Sequence, residues 1–596
     1  MAKEDGSDNK SLFGRLQNLV KRNDDSSKSS GNDDKKEASN VGEKSEGDHL
    51  PVDESERLPE DKRKQFRVGN TKFGKVPLST KKDKFSIGVV NIGGTQSSVG
   101  FAHKYFPFLT SSQVLSGLER LGLKPHNTAL KGYDVFEKSI DSINLNFEGM
   151  CKVRKKILDV YKNHNAIVVT TGTDSMADLG FFLRATLPPE VLASTKVILT
   201  GAMAPGVLLD PEKSNTREEI LQQLAKVVGA EEAKQFSEEY TTELIKFKKL
   251  EDGSRKASLE QEEAGREKAE PEASQRLESV EEESPAKSAS KKTSLANLIP
   301  LPSTSRLRGK QEESDALKNI SRALLLAASD QLGGRVSIVM NKSDIFDPPY
   351  VSKENTTDIK AFEAVVDGPV GKIKNSKPTI HYIPGVPKKT FHELFEDTGS
   401  KLPSPSSNAQ GSSTHPDDIQ FEITVVKTEN EGKKTESENI HIPKLPTVPT
   451  IDCNAPNDDA AIELLREYFR PRAELEGRSK YDTVILVGTG NGNLPDVVKD
   501  EVKKWTDAGK ICVRTSQASK GEVGHRETVD DEAIGTVCTG KLRKGAVTLW
   551  TRLAKADAQR KGKILDKKSL DGAFKEFVTD VAAKKTIQKS QTKKLK

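Results

Sequence analysis

Residues 85–95 read FSIGVVNIGGT, and this stretch decides the fold class. Residues 85–92 form a mostly apolar run, typical of a strand that is buried on both faces. Gly93 and Gly94 let the backbone bend and a carbonyl come close, which suits the hydroxyl of Thr95 for acyl transfer. Residues 166–175, AIVVTTGTDS, repeat this form and contain Thr173. Ligands collect at the carboxyl ends of parallel strands, so both threonines are expected at one sheet edge.

The remaining chain alternates short apolar segments with segments of helical period, which is typical of parallel α/β folds. The predicted helices are residues 111–121, 147–161, 176–187, 316–328, 459–469 and 497–505. The predicted strands are residues 85–92, 166–170, 196–200, 336–340, 448–452, 483–487 and 511–513. Pro449 lacks a backbone N–H group and therefore confines its strand to an edge or a late start.

Composition predicts that several segments stay disordered. Residues 1–82 are rich in Lys, Asp, Ser, Gly and Asn, residues 250–312 alternate acidic and basic positions, and residues 388–440 have little periodicity. Such segments bury too little apolar surface to offset the entropy lost on folding. Residues 216–250 have helical spacing, so a local helical hairpin is possible there.

Charge and cysteine usage exclude several classes of function. The formal net charge of +5 over 596 residues gives no reason to expect nucleic-acid binding. The four cysteines lie too far apart for a zinc or disulfide pattern, and Cys512 is predicted to be a core residue. No apolar run reaches membrane-spanning length and no apolar signal region begins the chain, so we expect no membrane partner and a cytoplasmic location. Residues 488–495 contain no phosphate-loop lysine, which argues against a nucleotide enzyme.

Seven short motifs follow one another along the chain. They are NIGGT at 91–95, YFP at 105–107, DS at 141–142, TD at 173–174, LTGAMAP at 199–205, VSKENTTD at 351–358 and GTGNGNLP at 488–495. In this order they resemble the bacterial-type L-asparaginase/glutaminase family with threonine nucleophiles, and its cytoplasmic branch most closely. The resemblance covers roughly residues 83–206, 314–386 and 445–583.

The resemblance implies a two-domain α/β fold and an assembly. A larger N-terminal parallel-sheet domain is expected at residues 83–386, with a largely disordered insertion at about 207–313. A disordered linker at 387–444, a smaller C-terminal α/β domain at 445–583 and a basic tail at 584–596 complete the chain. The implied activity is hydrolysis of L-asparagine, with possible glutamine hydrolysis and no metal or organic cofactor. Active sites in the family lie at a subunit boundary, so a homodimer or homotetramer is expected.

The resemblance also implies the catalytic roles. Thr95 is the implied nucleophile, and Tyr105 lies ten residues later on a loop that contains Gly100 and is expected to be mobile. Thr173 is expected opposite Thr95 across the scissile amide, with its hydroxyl hydrogen-bonded toward Lys353. A lysine serves as a base only where its surroundings lower its pKa, which the sequence cannot establish.

Substrate-binding roles follow in the same way. Asp174 belongs to the implied catalytic set, and both Asp174 and Thr173 are also expected to bind the substrate. The Asp174 carboxylate is expected to hold the α-amino group through a charge-assisted contact, and Ser142 to recognise the α-carboxylate. Asn493 is expected to reach the substrate region of a neighbouring subunit. Glu527 lies near an acidic residue of that region in periplasmic members, although ungapped counting places Thr528 there.

Departures from the family pattern leave alternatives open. Ile143, Thr171, Gln96 and Ser175 each replace a residue more common in the family, so the preference between asparagine and glutamine stays open. Simpler explanations are an incidental turn at Thr95, a helix cap at Asp174 and a surface lysine at 353. One rival function is the ammonia-supplying subunit of a tRNA-dependent amidotransferase, which carries an N-terminal β domain that residues 1–82 do not resemble. Another is a non-catalytic interaction protein built on the same body.

Overall fold

The computed structural model describes nine stretches of the chain. They are residues 85–101, 104–277, 315–366, 368–387, 389–396, 421–426, 438–454, 457–524 and 529–579. The predicted disordered tail at 1–82 and the basic tail at 584–596 lie outside the described residues.

The described helices and strands confirm the predicted α/β class. The helices are α1 (Ser111–Arg120), α2 (Phe147–Val160), α3 (Met176–Thr186), α4 (Pro189–Ser194), α5 (Arg217–Val228), α6 (Ala230–Lys234), α7 (Glu238–Leu277), α8 (Asp315–Ala328), α9 (Asp458–Phe469), α10 (Asp496–Asp507), α11 (Lys544–Arg560) and α12 (Lys567–Thr579). The first strands are β1 (Phe85–Asn91), β2 (Val99–Phe101), β3 (Lys104–Phe106), β4 (Thr128–Asp134), β5 (Ala166–Thr170), β6 (Lys196–Thr200), β7 (Val207–Leu209), β8 (Arg335–Met340), β9 (Asp344–Phe346), β10 (Val351–Lys353) and β11 (Phe362–Ala364). The later strands are β12 (Gly371–Lys374), β13 (Lys377–Ile380), β14 (Phe421–Val426), β15 (Glu438–Pro443), β16 (Thr450–Asp452), β17 (Pro471–Arg472), β18 (Arg478–Ser479), β19 (Thr483–Gly488), β20 (Ile511–Ser516) and β21 (Val537–Cys538).

An eight-stranded sheet forms the larger N-terminal domain, in the order β13-β12-β9-β8-β6-β5-β1-β4. The strands from β8 to β4 run parallel, and β9, β12 and β13 add antiparallel pairs at the other edge. Alternate residues of β1 pack on opposite faces of the sheet, with Ile87 and Val89 in one core and Val90 in the other. Burial on both faces explains the nearly continuous apolar runs of these strands.

The smaller C-terminal domain has a four-stranded parallel sheet in the order β16-β19-β20-β21. Strand β16 is an edge strand that begins only at Thr450, which confirms the constraint predicted from Pro449. Cys512 is fully buried in this domain, as predicted, and burial raises the pKa of its thiol. Helices α11 and α12 were not predicted from the sequence. Among the described helices, none is both long and apolar enough to cross a membrane.

The insertion after residue 207 differs from the prediction of a largely disordered segment. Residues 207–277 form β7 and the helices α5, α6 and α7. These helices include the segment 216–250, where the helical spacing of the sequence allows a local hairpin. Ile220, Leu224 and Leu244 are fully buried in the same core as Ile87 of β1. Apolar burial of this kind stabilises the helices against the entropy of a long loop. Residues 278–314 lie outside the described residues.

The predicted linker at 387–444 also contains ordered structure. A short 3₁₀ helix, His392–Phe395, buries Leu394 and Phe395 against the N-terminal domain. Strands β14 and β15 pair in an antiparallel hairpin. Short apolar segments inside a polar sequence give little periodic signal, which explains why the prediction missed them.

Candidate active site

The loops that follow β1 and β5 touch each other at two glycines. Strands β1 and β5 are parallel neighbours, and the Ile92 amide donates to the Thr170 carbonyl at 3.0 Å. Gly94 has φ of 73°, and a Cβ built on it would lie 2.2 Å from the backbone nitrogen of Gly172. Only glycine permits this contact. Thr95 and Thr173 each follow one of the two glycines, so their loops meet at one sheet edge as predicted.

A buried asparagine fixes these two loops. The Asn91 side-chain oxygen accepts hydrogen bonds from Ser97 Oγ at 2.6 Å and Thr170 Oγ1 at 2.8 Å. Its nitrogen donates to Asp134 Oδ1 at 2.8 Å. In the sequence, Asn91 stands out only as part of the NIGGT motif. A lone amide at the end of an apolar strand is the signal that could have identified it, since a buried amide needs partners.

Lys353 joins Thr173 and Asp174. Its Nζ lies 3.0 Å from Thr173 Oγ1 and 2.7 Å from Asp174 Oδ1. The side chain of Lys353 is 20% exposed and that of Asp174 is 50% exposed, whereas Thr173 is buried. Lys353 ends β10, which pairs with β11 and thereby holds the lysine backbone. The ammonium group therefore reaches the Thr173 hydroxyl while a neighbouring carboxylate balances its charge.

Ser142 packs against the loop that carries Thr173. Its Oγ donates to Asp174 Oδ2 at 3.3 Å, and the residue is almost fully buried. A Cβ on Gly172 would lie 2.3 Å from Ser142 Oγ, so this loop also packs through a glycine. The neighbouring Ile143 is 73% exposed. The structure therefore brings Ser142, Thr173, Asp174 and Lys353 into one hydrogen-bonded group, on a loop that packs against Gly94.

Tyr105 lies on a strand and not on a loop, which corrects the prediction. It belongs to β3, pairs with Gly100 of β2 and is 44% exposed. Strand β2 also pairs with β7, so a three-stranded sheet carries the tyrosine. Burial of its hydroxyl, reinforced by the negative charge of Asp315, raises the pKa of Tyr105 above its ordinary value. Tyr105 is therefore protonated at neutral pH.

Asp315 is a buried carboxylate that the motif analysis missed. It begins α8 and accepts hydrogen bonds from the amides of Met203 and Ala204 and from the side chain of Asn319. Burial raises the pKa of Asp315 despite these hydrogen bonds, which favour the charged form. The carboxylate ties the 199–205 motif to α8. Its position among several acidic residues hid it in the sequence.

Three of the residues that depart from the family pattern are buried, namely Gln96, Thr171 and Ser175. The Thr171 hydroxyl is fully buried and makes no hydrogen bond within the described part of the chain. Gln96 is also buried, and its Nε2 donates to the Ala316 carbonyl at 3.0 Å. The buried hydroxyl of Ser175, the residue after Asp174, likewise makes no hydrogen bond within the described residues.

Asn493 lies in a tight turn of the C-terminal domain. Its backbone exchanges two hydrogen bonds with Thr489, and Gly492 within the turn has φ of 73°. The fully buried Arg514 donates to the carbonyls of Asn491 and Gly492 and forms two hydrogen bonds with Asp531. The buried Arg514–Asp531 ion pair therefore holds the backbone of this turn. Glu527 and Thr528 lie outside the described residues, so the choice between them stays a prediction.

Replacing Arg514 with methionine is expected to destabilise the C-terminal domain by about 3–5 kcal/mol, because it leaves the Asp531 carboxylate buried without its cation. Urea unfolding of the full chain, followed by hydrogen exchange in β19 and β20, measures the change. The control is Lys503→Met, which breaks an exposed ion pair with Asp507 and is expected to cost less than about 1 kcal/mol. Equal stability of the two variants would contradict a structural role for Arg514.

Two domain models of one protein family match this chain. The chain matches the family model described as "Asparaginase, N-terminal" over residues 86–231 and 303–384. It matches "Glutaminase/Asparaginase C-terminal domain" over residues 472–564, and the two matches together cover more than half of the chain. The chain belongs to the asparaginase family. The N-terminal match includes α5 and ends within α6, so the asparaginase body extends further into the predicted insertion than residue 206.

Known asparaginases are distant relatives of this chain. L-asparaginase 2 of Escherichia coli (strain K12) is 24% identical over 241 residues, which are 40% of this chain and 54% of the relative. A probable periplasmic L-asparaginase of Haemophilus influenzae is 21% identical over 244 residues, which are 41% of this chain and 54% of that relative. The chain therefore spans about half the length of these asparaginases in alignment.

One solved structure also matches this chain. The probable cytoplasmic L-asparaginase of Campylobacter jejuni has 16% identity and a TM-score of 0.45. The match covers 82% of this chain and 99% of that asparaginase.

Proposed function

We propose that this chain is an L-asparaginase that hydrolyses L-asparagine to L-aspartate and ammonia through an acyl-enzyme on Thr95. The observation that carries the proposal is the contact of Lys353 with Thr173 and Asp174, on a loop packed against the one that bears Thr95. Family membership supports this class of reaction. Hydroxyl, ammonium and carboxylate groups at one sheet edge are the groups that amide hydrolysis needs.

The first step of the proposed reaction forms an ester. The Thr95 oxygen attacks the side-chain carbonyl carbon of asparagine, the C–N bond breaks and the amide nitrogen leaves as ammonia with the proton lost by Thr95. A water molecule then attacks the ester, which releases aspartate and returns the proton to Thr95. Backbone N–H groups are proposed to stabilise the oxyanion of each tetrahedral intermediate. The Gly94 amide is not one of them, because it donates to the Ile140 carbonyl at 2.8 Å.

Lys353 has a supporting role in this scheme. Its ammonium lies within hydrogen-bonding distance of the Thr173 hydroxyl and polarises it, so that Thr173 can guide water or a proton across the scissile bond. Because the pKa of Tyr105 is raised, Tyr105 takes part as a protonated hydroxyl that relays a proton. A tyrosinate base present before the substrate binds is not part of the scheme.

Asp174 and Ser142 are proposed to bind the amino-acid part of the substrate. The half-exposed carboxylate of Asp174 offers a charge-assisted contact to the α-ammonium group, and Ser142 offers a hydroxyl to the α-carboxylate. Asn493 is proposed to contribute from a neighbouring subunit of a dimer or tetramer. Sedimentation of the purified chain tests the assembly, and a monomer that is active at every concentration would contradict the proposed role of Asn493.

Asp174→Asn is expected to raise KM for asparagine about tenfold to a hundredfold, because hydrogen bonds to charged groups contribute roughly 1.5–3 kcal/mol. The effect on kcat is expected to be smaller, since the carboxylate faces the substrate's amino group and not the reacting carbonyl. Steady-state ammonia release measures both constants. Asp159→Asn, at an exposed helix position paired with Lys155, is the matched control and should leave both constants unchanged.

Ammonia release by the purified chain tests the function itself. L-asparagine and L-glutamine are compared at equal concentrations, with the Thr95→Ala variant as the blank. Faster release from asparagine supports the proposal. Release from glutamine alone points to a glutaminase, and release from neither amide overturns the enzymatic assignment.

A further inference from the structure

We propose that the start of helix α7, within the insertion, positions Tyr105 for the reaction, with Phe247 as the main positioning residue. This inference rests on the proposed function, because it assumes that Tyr105 takes part in the reaction. Phe247 and Tyr105 are far apart in sequence, yet helix α7 packs directly on β3, which carries the tyrosine, and on its neighbour β2.

Phe247 contacts the residues before and after Tyr105 in the sequence. The Phe247 ring packs edge-on against Phe106, the next residue after Tyr105, with ring centroids 5.3 Å apart. Its centroid also lies 6.3 Å from that of Phe101 on the paired strand β2. The ammonium of Lys104, the residue before Tyr105, lies 5.0 Å from the Phe106 centroid and 5.3 Å from the Phe247 centroid. One side chain therefore contacts both neighbours of Tyr105 and the opposite strand.

A second group of aromatic contacts fixes the direction of helix α7. Tyr240 stacks on Phe108 with ring centroids 4.1 Å apart and an interplanar angle of 1°. Phe236, just before the helix, packs edge-on against both of these rings. Leu244, between Tyr240 and Phe247, is fully buried. Aromatic pairs of this geometry contribute roughly 0.5–1.5 kcal/mol beyond the area they bury, so they stabilise the packing of the helix on the segment that follows β3.

The sheet that carries Tyr105 is small. Strands β2, β3 and β7 have three residues each, and β3 is an edge strand. Tyr105 itself is partly exposed. An edge strand of three residues depends on its packing for a fixed position, because short isolated strand pairs are only marginally stable. Loss of the Phe247 ring is therefore expected to move Tyr105 without unfolding the domain.

The test combines Phe247→Ala with Tyr105→Phe in a double-mutant cycle, measured as ammonia release from asparagine by the full chain. Phe247→Ala alone is expected to lower kcat about tenfold with little change in KM, because small misplacement of a reacting group is costly to the rate. In the Tyr105→Phe background the same change is expected to have no further effect. Phe247→Tyr should restore most of the activity, since it keeps the ring.

The matched control is Leu250→Ala on the same helix, one turn further on and 73% exposed, which should not change kcat. An equal loss of kcat from Phe247→Ala in both backgrounds would overturn the inference, because the effect would then not act through Tyr105. Unchanged kcat in Phe247→Ala would also overturn it.

Hydrogen exchange separates this inference from the proposed function. Amides of β2 and β3 are expected to exchange about tenfold faster in Phe247→Ala than in the unmodified chain, with no change in β19 and β20. This holds whether or not the unmodified chain hydrolyses asparagine. Failure to release ammonia contradicts the proposed function, whereas unchanged exchange in β2 and β3 contradicts the positioning role of Phe247.

Discussion

Thr95→Ala is expected to lower ammonia release from asparagine by about 10³-fold or more, because it removes the proposed nucleophile. Thr95 is half-buried at the end of the Gly93–Gly94 turn, and its backbone carbonyl accepts the Ser98 amide hydrogen bond whichever side chain is present. The substitution removes a hydroxyl and a methyl group from a partly exposed position, so the fold should persist. Steady-state ammonia release and circular dichroism together separate loss of chemistry from loss of structure.

Thr95→Ser is the matched control for this prediction. It keeps a hydroxyl at the same position and loses only the methyl group, so activity well above that of Thr95→Ala is expected. Turnover of Thr95→Ala near the unmodified rate would exclude Thr95 as the nucleophile and would point to another hydroxyl, such as that of Thr173.

Lys353→Met is expected to lower kcat by about 10²–10³-fold, within the range for groups that assist proton transfer. Methionine keeps a long unbranched side chain but removes the ammonium that contacts Thr173 and Asp174. The Thr173 hydroxyl then loses its charged partner, while its backbone stays fixed by the packing of Gly172 against Gly94. Stability is expected to change by less than about 1 kcal/mol, since the partner carboxylate is half-exposed.

The matched control for Lys353→Met is Lys360→Met, at an exposed position a few residues further along the chain. It should leave kcat unchanged. Should Lys353→Met keep kcat within about threefold of the unmodified chain, the lysine would be a structural ion-pair partner of Asp174 and the proposed relay through Thr173 would be wrong.

Much of the site could be predicted because parallel strands bring their carboxyl ends to one edge. The glycine-threonine motifs at the ends of β1 and β5 are adjacent in space for this reason, and Lys353 reaches the same edge from β10. Asp315 was missed because it follows other acidic residues in the sequence and nothing local marks it as buried. Asn91 could have been identified, because it is a lone amide at the end of an apolar strand. Tyr105 was placed on a loop because its strand is only three residues long.

The packing of the insertion could not be predicted for a different physical reason. Charged residues dominate the sequence at 250–312, and this composition is typical of solvated segments. The aromatic residues that anchor helix α7, namely Phe236, Tyr240 and Phe247, have partners at Phe106 and Phe108, which belong to a distant part of the sequence. Local periodicity predicts a helix there but does not identify the surface on which it packs.

Trapping of the acyl-enzyme tests the central proposal most directly. The chain is mixed with asparagine, quenched rapidly in acid, digested and analysed by mass spectrometry for an aspartyl ester. We expect the ester on the peptide that contains Thr95, and its absence from that peptide in Thr95→Ala. An ester on the peptide that contains Thr173, with Thr95 unmodified, would contradict the account.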